Sequence, residues 1–111
     1  MSDDGLLATL SVTTDAPDHQ VVMAVQGEID LSTAEMLKRA VLQSIDSVEC
    51  TTVVVDLRGV SFIDSSGLKA LLIGRRDLAQ NNIRLVVRNP QPQARRLFEI
   101  ALEKFEEVAS A

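Results

Sequence analysis

The chain of 111 residues has the length of one domain, and it can bury about two-thirds of the surface of its unfolded form without a disulfide or metal. Its 46% hydrophobic and 24% charged residues are typical of an ordered protein, which excludes a wholly disordered or fibrous chain. A net charge of −5 and only three aromatic residues disfavour general nucleic-acid binding, which depends on basic and stacking side chains.

Short apolar runs and the scarcity of cysteine and histidine disfavour a membrane protein and a metal-binding protein. The apolar runs fall far short of the ~20 residues of a membrane helix, and Met1–Asp4 has no basic segment of a secretory signal. Cys50 is the single cysteine and His19 the single histidine, so we expect neither an internal disulfide nor a zinc site. These features predict a cytoplasmic protein with no cofactor, no metal and no membrane contact.

The charge is unevenly distributed along the chain. Residues 1–50 hold nine acidic and two basic side chains, a sum of −7, whereas residues 51–111 hold seven acidic and nine basic ones, a sum of +2. This asymmetry has two interpretations: an acidic surface that steers a basic protein partner, or ordinary solvated charge.

Two strands and a helix are predicted in the first half. Apolar residues alternate over 6–14, and a second apolar run covers 20–25, with turn residues Asp15 to Asp18 between them. We expect an antiparallel hairpin. Ser32 and Glu35 then have the S-x-x-E spacing of a capping box, which predicts a helix start. The apolar face of this helix consists of Ala34, Leu37, Val41 and Ile45.

The second half alternates strands and helices. Residues 51–57 are a β-branched run typical of a strand buried on both faces, and 83–87 form a further short strand. Helices are predicted over 68–80 and from Pro92 onwards. The order β-β-α-β-α-β-α indicates a single α/β domain over 1–111, in which an antiparallel hairpin joins parallel strands in a mixed sheet with helices packed against it.

Catalytic machinery is not evident in the sequence. There is no glycine-rich phosphate loop, and a serine nucleophile at Ser65 or Ser66 would lack a base, because His19 lies in the hairpin turn. Acidic pairs such as Glu28 and Asp30 carry no feature that marks a substrate pocket. We therefore interpret the chain as a protein that is not an enzyme.

Two polar turns, 27–33 and 64–67, each follow a strand and precede a helix. In parallel neighbouring strands both turns meet at the carboxyl edge of the sheet, where α/β proteins usually place their sites. Simple helix capping is the alternative interpretation for either turn. A phosphoryl group on a serine there would add about −1.5 to −2 charge at an exposed helix N-terminus. The negative charges of Asp64 and Asp30 would oppose this added charge, and the phosphoryl group would repel an acidic partner surface.

These residues carry a specific resemblance. The GEID segment from Gly27, the strand ending Val55-Asp56-Leu57 and the FIDSSGL segment from Phe62 to Leu68, followed by RRLFE from Arg95, resemble the STAS domain of bacterial anti-sigma factor antagonists over nearly the whole chain.

The resemblance implies partner switching. The unphosphorylated antagonist binds an anti-sigma factor with serine kinase activity and frees a sigma factor for transcription; phosphorylation ends the complex, and a serine phosphatase restores the binding form. It implies Ser65 as the acceptor, although the turn chemistry alone does not separate Ser65 from Ser66. The partner contacts that it implies are Gly27, Glu28, Asp30, Ser32, Thr33, Asp64, Ser66 and Gly67.

The C-terminal region departs from the family pattern. The chain lacks the usual glycine after Ile100, which predicts a longer last helix, and the short polar tail from Glu106 predicts fraying or one final turn rather than the terminal helix of many relatives. Two other functions stay open: a STAS scaffold or transporter-complex subunit that is not switched by phosphorylation, and a small-molecule sensor or enzyme that binds a nucleotide at the same edge.

Overall fold

The computed structural model describes residues 11–15, 19–45, 49–101 and 107–108. Its strands are β1 (Ser11–Asp15), β2 (Gln20–Ile29), β3 (Thr52–Ile63), β4 (Arg84–Arg88) and β5 (Glu107–Val108). Its helices are α1 (Ala34–Gln43), α2 (Ser65–Ala79) and α3 (Pro92–Ala101). The α/β fold class is confirmed.

The strands form one mixed sheet in the order β1-β2-β3-β4-β5. β1 runs antiparallel to β2, whereas β2, β3, β4 and β5 are parallel to their neighbours. Part of the turn predicted between the first two strands, and the start of the first strand before Ser11, lie outside the described residues. The connections from β2 to β3 and from β3 to β4 contain the helices α1 and α2, as parallel strands require.

The core follows from the apolar patterns. Val53, Val54 and Val55 are all buried, as the β-branched run predicts for a strand covered on both faces. The predicted apolar face of α1 is also confirmed, with Leu37 and Val41 fully buried. On α2 the buried residues are Gly67, Leu68, Ala70, Leu71, Gly74 and Leu78. Ala79, the last residue of that helix, is exposed.

Two strands are longer than predicted. β2 continues through Gly27 to Ile29, and β3 continues through Gly59 to Ile63. Two register shifts between them, each adding one residue to β3, allow pairing to continue past the polar positions. Gly27 has φ 120°, which only glycine adopts readily, and a Cβ on Gly59 would lie 2.7 Å from Cγ of Gln26. Both strands therefore reach the same edge of the sheet.

The prediction that the polar tail frays or forms a turn is wrong at residues 107–108. The short strand β5 follows α3 and pairs in parallel with β4, Val87 opposite Glu107 and Arg88 opposite Val108. Residues 107–108 of the polar tail therefore contribute a short strand to the sheet, because the edge of β4 offers main-chain hydrogen-bond partners. The described part of α3 ends at Ala101, and the predicted extension of this helix lies outside the described residues.

Candidate partner-binding site

The two polar turns meet at the carboxyl edge of the sheet. β2 ends at Ile29 and β3 ends at Ile63, and these two residues are register partners. The main-chain N–H of Asp64, the next residue, donates to the carbonyl oxygen of Ile29 at 3.1 Å. The pairing of the two strands therefore continues into the turns, and the predicted meeting of the two segments is confirmed.

In the first turn, the carboxylate of Asp30 organises the chain before α1. Its Oδ1 accepts hydrogen bonds from the Ser32 hydroxyl at 2.7 Å and from the Ser32 N–H at 3.0 Å. The hydroxyl of Ser32 is the largest influence on this group and lowers the pKa of Asp30, while slight burial acts against it. Asp30 is therefore a carboxylate at neutral pH and adds negative charge to the turn.

The predicted capping box is wrong. The side chain of Ser32 is bonded to Asp30, so α1 begins two residues later, at Ala34, and its N-cap residue Thr33 makes no side-chain cap hydrogen bond. Glu35, the other half of the predicted box, lies 3.3 Å from Nζ of Lys38 instead. The spacing misleads because a nearer acceptor, two residues before Ser32, competes for its hydroxyl.

Thr33 holds the first turn from inside. Its side chain is 1% exposed, and its Oγ1 accepts from the N–H of Asp30 at 3.0 Å and donates to the carbonyl oxygen of Glu28 at 2.9 Å. The single hydroxyl thus satisfies one main-chain donor and one acceptor of the turn. The side chain of Thr33 therefore has a positioning role, and the partner contact that the resemblance implies at Thr33 stays a prediction.

The second turn is capped by Asp64. Its Oδ1 accepts from the N–H of Ser66 at 2.8 Å and of Gly67 at 3.2 Å, and α2 begins at Ser65. The predicted start at Leu68 is therefore three residues late, because the polar turn residues themselves form the first helical turn once Asp64 satisfies their N–H groups. Ser65 is exposed, whereas Ser66 is half-buried.

Gly67 allows the second turn to approach the sheet. It is buried, and a Cβ there would lie 2.4 Å from Cγ2 of Ile29 and 2.8 Å from Cγ1 of Ile63. Only a residue without a side chain fits between α2 and the ends of β2 and β3. Gly67 therefore has a packing role, and the partner contact that the resemblance implies at this position stays a prediction.

The remaining residues form what we call the two-turn surface. It consists of the exposed or half-buried residues Glu28, Asp30, Leu31, Ser32, Asp64, Ser65 and Ser66. Leu31 is 80% exposed within this surface, and sequence reasoning missed it. The signal was present: an apolar residue stands between two polar turn residues, where no helical or strand periodicity assigns it to the core.

A shallow groove between α1 and α2 adjoins this surface. It has a volume of about 330 Å³ and is lined on opposite sides by Leu31 and Lys38 and by Ser66 and Lys69. Within the described ranges, no group of three or more His, Cys, Asp or Glu residues is placed to hold a metal ion. None of the helices described is both long and apolar enough to cross a membrane.

A mixed sheet with two polar turns at one edge, one of them D-S-S-G, defines a class of α/β binding domains. The chain belongs to the STAS domain family, whose sequence pattern matches residues 11–108. The resemblance inferred from the sequence is thereby confirmed.

Several proteins similar to this chain are anti-sigma factor antagonists. The anti-sigma F factor antagonist of Lysinibacillus sphaericus is 32% identical over 81 residues, which are 73% of this chain and 69% of that protein. The anti-sigma-F factor antagonist RsfB of Mycobacterium tuberculosis is 36% identical over 73 residues, 64% of this chain and 59% of that protein. A crystal structure of an anti-sigma factor antagonist from Mycobacterium paratuberculosis is 27% identical, with a TM-score of 0.77, and covers 88% of this chain and 84% of that one.

Proposed function

We propose that this protein is an anti-sigma factor antagonist that acts by partner switching and has no catalytic activity of its own. Its unphosphorylated form binds an anti-sigma factor with serine kinase activity, which releases a sigma factor. Phosphorylation of Ser65 ends the complex, and a serine phosphatase restores it. The observation that carries the proposal is that Ser65 is exposed at the first position of α2, within the two-turn surface.

The exposure of the two serines supports Ser65 as the acceptor. Ser65 is exposed, while Ser66 is half-buried and lines the groove between α1 and α2. A kinase has to bring the serine oxygen in line with the γ-phosphate, which requires access around that oxygen. Access is greater at Ser65.

The hydrogen bonds of Asp64 explain how a phosphoryl group would act. A helix N-terminus normally attracts an anion through its free N–H groups. Here the N–H groups of Ser66 and Gly67 already bond to the Asp64 carboxylate. A phosphoryl group on Ser65 would therefore gain little from them, and its charge of about −1.5 to −2 would stay at the surface beside Asp64 and repel an acidic partner.

This arrangement allows switching without unfolding. The main-chain bonds that hold the turn run between Asp64 and Ile29 and between Leu68 and Asp64, and none involves the Ser65 side chain. Adding a group to that side chain leaves them intact. The phosphoryl group thus changes the charge of the two-turn surface while the fold that presents the surface is kept.

The experiment incubates the protein with ATP and with each anti-sigma factor kinase encoded in the same genome, and maps the phosphate by peptide mass spectrometry. Ser65→Ala and Ser66→Ala form a matched pair. Loss of phosphate from the Ser65→Ala variant alone would support the proposal. Phosphate on Ser66 would contradict the acceptor assignment, and no phosphate on folded protein would favour a scaffold or transporter subunit.

A further inference from the structure

β3 extends beyond its neighbour β4 towards the two-turn surface. Its pairing with β4 ends at Asp56 opposite Arg88, whereas its pairing with β2 continues to Ile63. Residues 57–63 therefore have a strand partner on one side only, among the residues that the structure describes. The main-chain groups on the other side need different partners, since unpaired groups at a partly buried edge are costly.

Two glutamines at the start of α3 meet this need. Nε2 of Gln91 donates to the carbonyl oxygen of Arg58 at 2.9 Å. Nε2 of Gln93 donates to the carbonyl oxygen of Ile63 at 2.8 Å, and Oε1 of Gln93 accepts from the N–H of Ile63 at 3.1 Å. The amide of Gln93 therefore occupies both main-chain groups of Ile63, as a residue of a neighbouring strand would.

Ile63 is the residue that leads into the acceptor turn. On its β2 side, the next residue, Asp64, is held by the carbonyl oxygen of Ile29 at 3.1 Å. On its other side, Ile63 is held by Gln93. Because Asp64 caps the helix that begins at Ser65, any shift of the Ile63 main chain moves the cap and the serine together.

We propose that Gln93 is a positioning residue for the acceptor turn: its amide holds the end of β3, so that Ser65 is presented in one geometry to the kinase and to the binding partner. The effect of Gln93 on the rate of phosphorylation rests on the proposed function of Ser65. Its effect on the geometry of the turn does not. The residue comes from α3, 30 positions further along the chain, and so makes the turn depend on where α3 begins.

Hydrogen exchange of single amides, followed by NMR, tests the positioning without a partner protein. The variants are Gln93→Leu and the matched control Gln91→Leu, which removes a glutamine bond to the same strand five residues earlier, at Arg58. In Gln93→Leu we expect exchange of the Ser66 and Gly67 amides about tenfold faster than in wild type, since two hydrogen bonds are lost. In Gln91→Leu we expect a change below about twofold at these amides.

The comparison with the control makes the outcome decisive. Equal rates at Ser66 and Gly67 in both variants, whether changed or not, would overturn the positioning role. Gln93→Glu is a second variant of nearly the same size, which lacks the donor to the Ile63 carbonyl oxygen and should show the same acceleration at neutral pH. Retained protection in both Gln93 variants would likewise overturn the inference.

Phosphorylation kinetics separate this inference from the proposed function. With a kinase that modifies wild-type Ser65, kcat/KM for Gln93→Leu should fall about tenfold and that for Gln91→Leu should stay within about twofold, at a temperature where both are folded. If kcat/KM for Gln93→Leu does not fall, Gln93 does not position Ser65 for the kinase, and this part of the inference is overturned. If no kinase modifies wild type while the exchange difference holds, the proposed function fails and the positioning role stands.

Discussion

The N–H of Asp64 donates to the carbonyl oxygen of Ile29 at 3.1 Å, and this bond places the two turns of the STAS domain side by side. It extends the parallel ladder of β2 and β3 by one step beyond their last paired residues, Ile29 and Ile63. Every residue of the two-turn surface is anchored within a few positions of this bond. These residues therefore lie next to the paired ends of β2 and β3.

Leu31 is expected to contribute to partner affinity and not to folding. Leu31→Ala should weaken binding to the anti-sigma factor about tenfold, because an exposed apolar side chain buried in an interface loses its contacts. The matched control is Ile100→Ala, since Leu31 is 80% and Ile100 79% exposed but Ile100 lies on α3. Calorimetric titration should show a loss for Leu31→Ala only, and both variants should keep their unfolding free energy within about 0.5 kcal/mol. If Leu31→Ala and Ile100→Ala bind the anti-sigma factor with equal affinity, Leu31 does not contribute to the interface.

Gly67→Ala should destabilise the domain by about 1–3 kcal/mol, since the added methyl group overlaps Ile29 and Ile63 between helix and sheet. Gly74→Ala is the control on the same helix: its Cβ would meet Cγ1 of Val41 at 3.1 Å, and the gain in helix preference opposes that crowding. Urea denaturation measures both free energies of unfolding. A cost for Gly74→Ala equal to that for Gly67→Ala would contradict the tighter fit at the second turn.

Thr33→Val should cost about 1–3 kcal/mol, because it leaves the N–H of Asp30 and the carbonyl oxygen of Glu28 without the buried hydroxyl that pairs them. Thr33→Ser keeps the hydroxyl and removes only a methyl group, so its cost should be smaller, about 1 kcal/mol. The two variants are compared by urea denaturation. If serine proves as costly as valine, packing rather than hydrogen bonding maintains the first turn.

Much of this architecture is predictable from local patterns. The alternation of apolar strands with amphipathic helices indicates parallel strands, and parallel strands bring the segments after Ile29 and Ile63 to one edge. The residues of both turns, including Ser65, can therefore be placed together before any coordinates are known. The ends of the strands and helices are harder to predict from the sequence. β3 extends beyond its apolar run because two register shifts, helped by Gly27 and Gly59, keep it paired with β2.

The residues that hold the turns are harder to find in the sequence. The hydroxyl of Ser32 has two possible partners, the Asp30 carboxylate as acceptor and the N–H groups of the helix N-terminus as donors, and only the folded turn shows that it bonds to Asp30. Gln93 acts over 30 positions, and no local pattern distinguishes it from Gln91 or from any other exposed glutamine. Long-range bonds from side chain to main chain depend on the packed fold, so periodicity and capping rules do not report them.

Stability should depend on pH through Asp56. Burial raises the pKa of Asp56, but hydrogen bonds from the N–H of Arg58 and from the side chains of Asn89 and Arg88 outweigh it, so that the pKa is lowered. The native state then binds a proton less readily than the unfolded chain. The stabilisation is therefore complete above the ordinary carboxyl pKa of about 3.9 and is lost as pH falls through the lowered value.

The measurement compares wild type with Asp56→Asn by urea denaturation from pH 7 to pH 3. At pH 7 the free energy of unfolding of wild type should exceed that of Asp56→Asn by about 1 kcal/mol, and this difference should shrink in the acid range. Asp77→Asn is the control, since Asp77 forms an exposed ion pair with Arg76 at 3.6 Å and such pairs contribute little. A gap for Asp56→Asn that does not change with pH would contradict the charge-dependent role of this carboxylate.

Charge at position 65 should decide partner affinity. Ser65→Ala keeps the two-turn surface without an acceptor and should bind the anti-sigma factor as tightly as unphosphorylated wild type. Ser65→Asp places a carboxylate beside Asp64, which already accepts hydrogen bonds from the N–H groups of Ser66 and Gly67. This variant should weaken binding by about 1–3 kcal/mol. Calorimetry at low and high salt measures both, and salt should narrow the difference because the charges are exposed.

The neighbouring serine supplies the control for this comparison. Ser66→Asp introduces the same charge one residue later, at a half-buried position that lines the groove with Lys38 and Lys69. Lys69 partly offsets this charge, whereas Lys38 is already paired with Glu35 at 3.3 Å, so the loss of affinity should be smaller than for Ser65→Asp and should depend less on salt. Equal affinities of Ser65→Ala and Ser65→Asp would refute electrostatic switching and would require a phosphoryl group to act by its size.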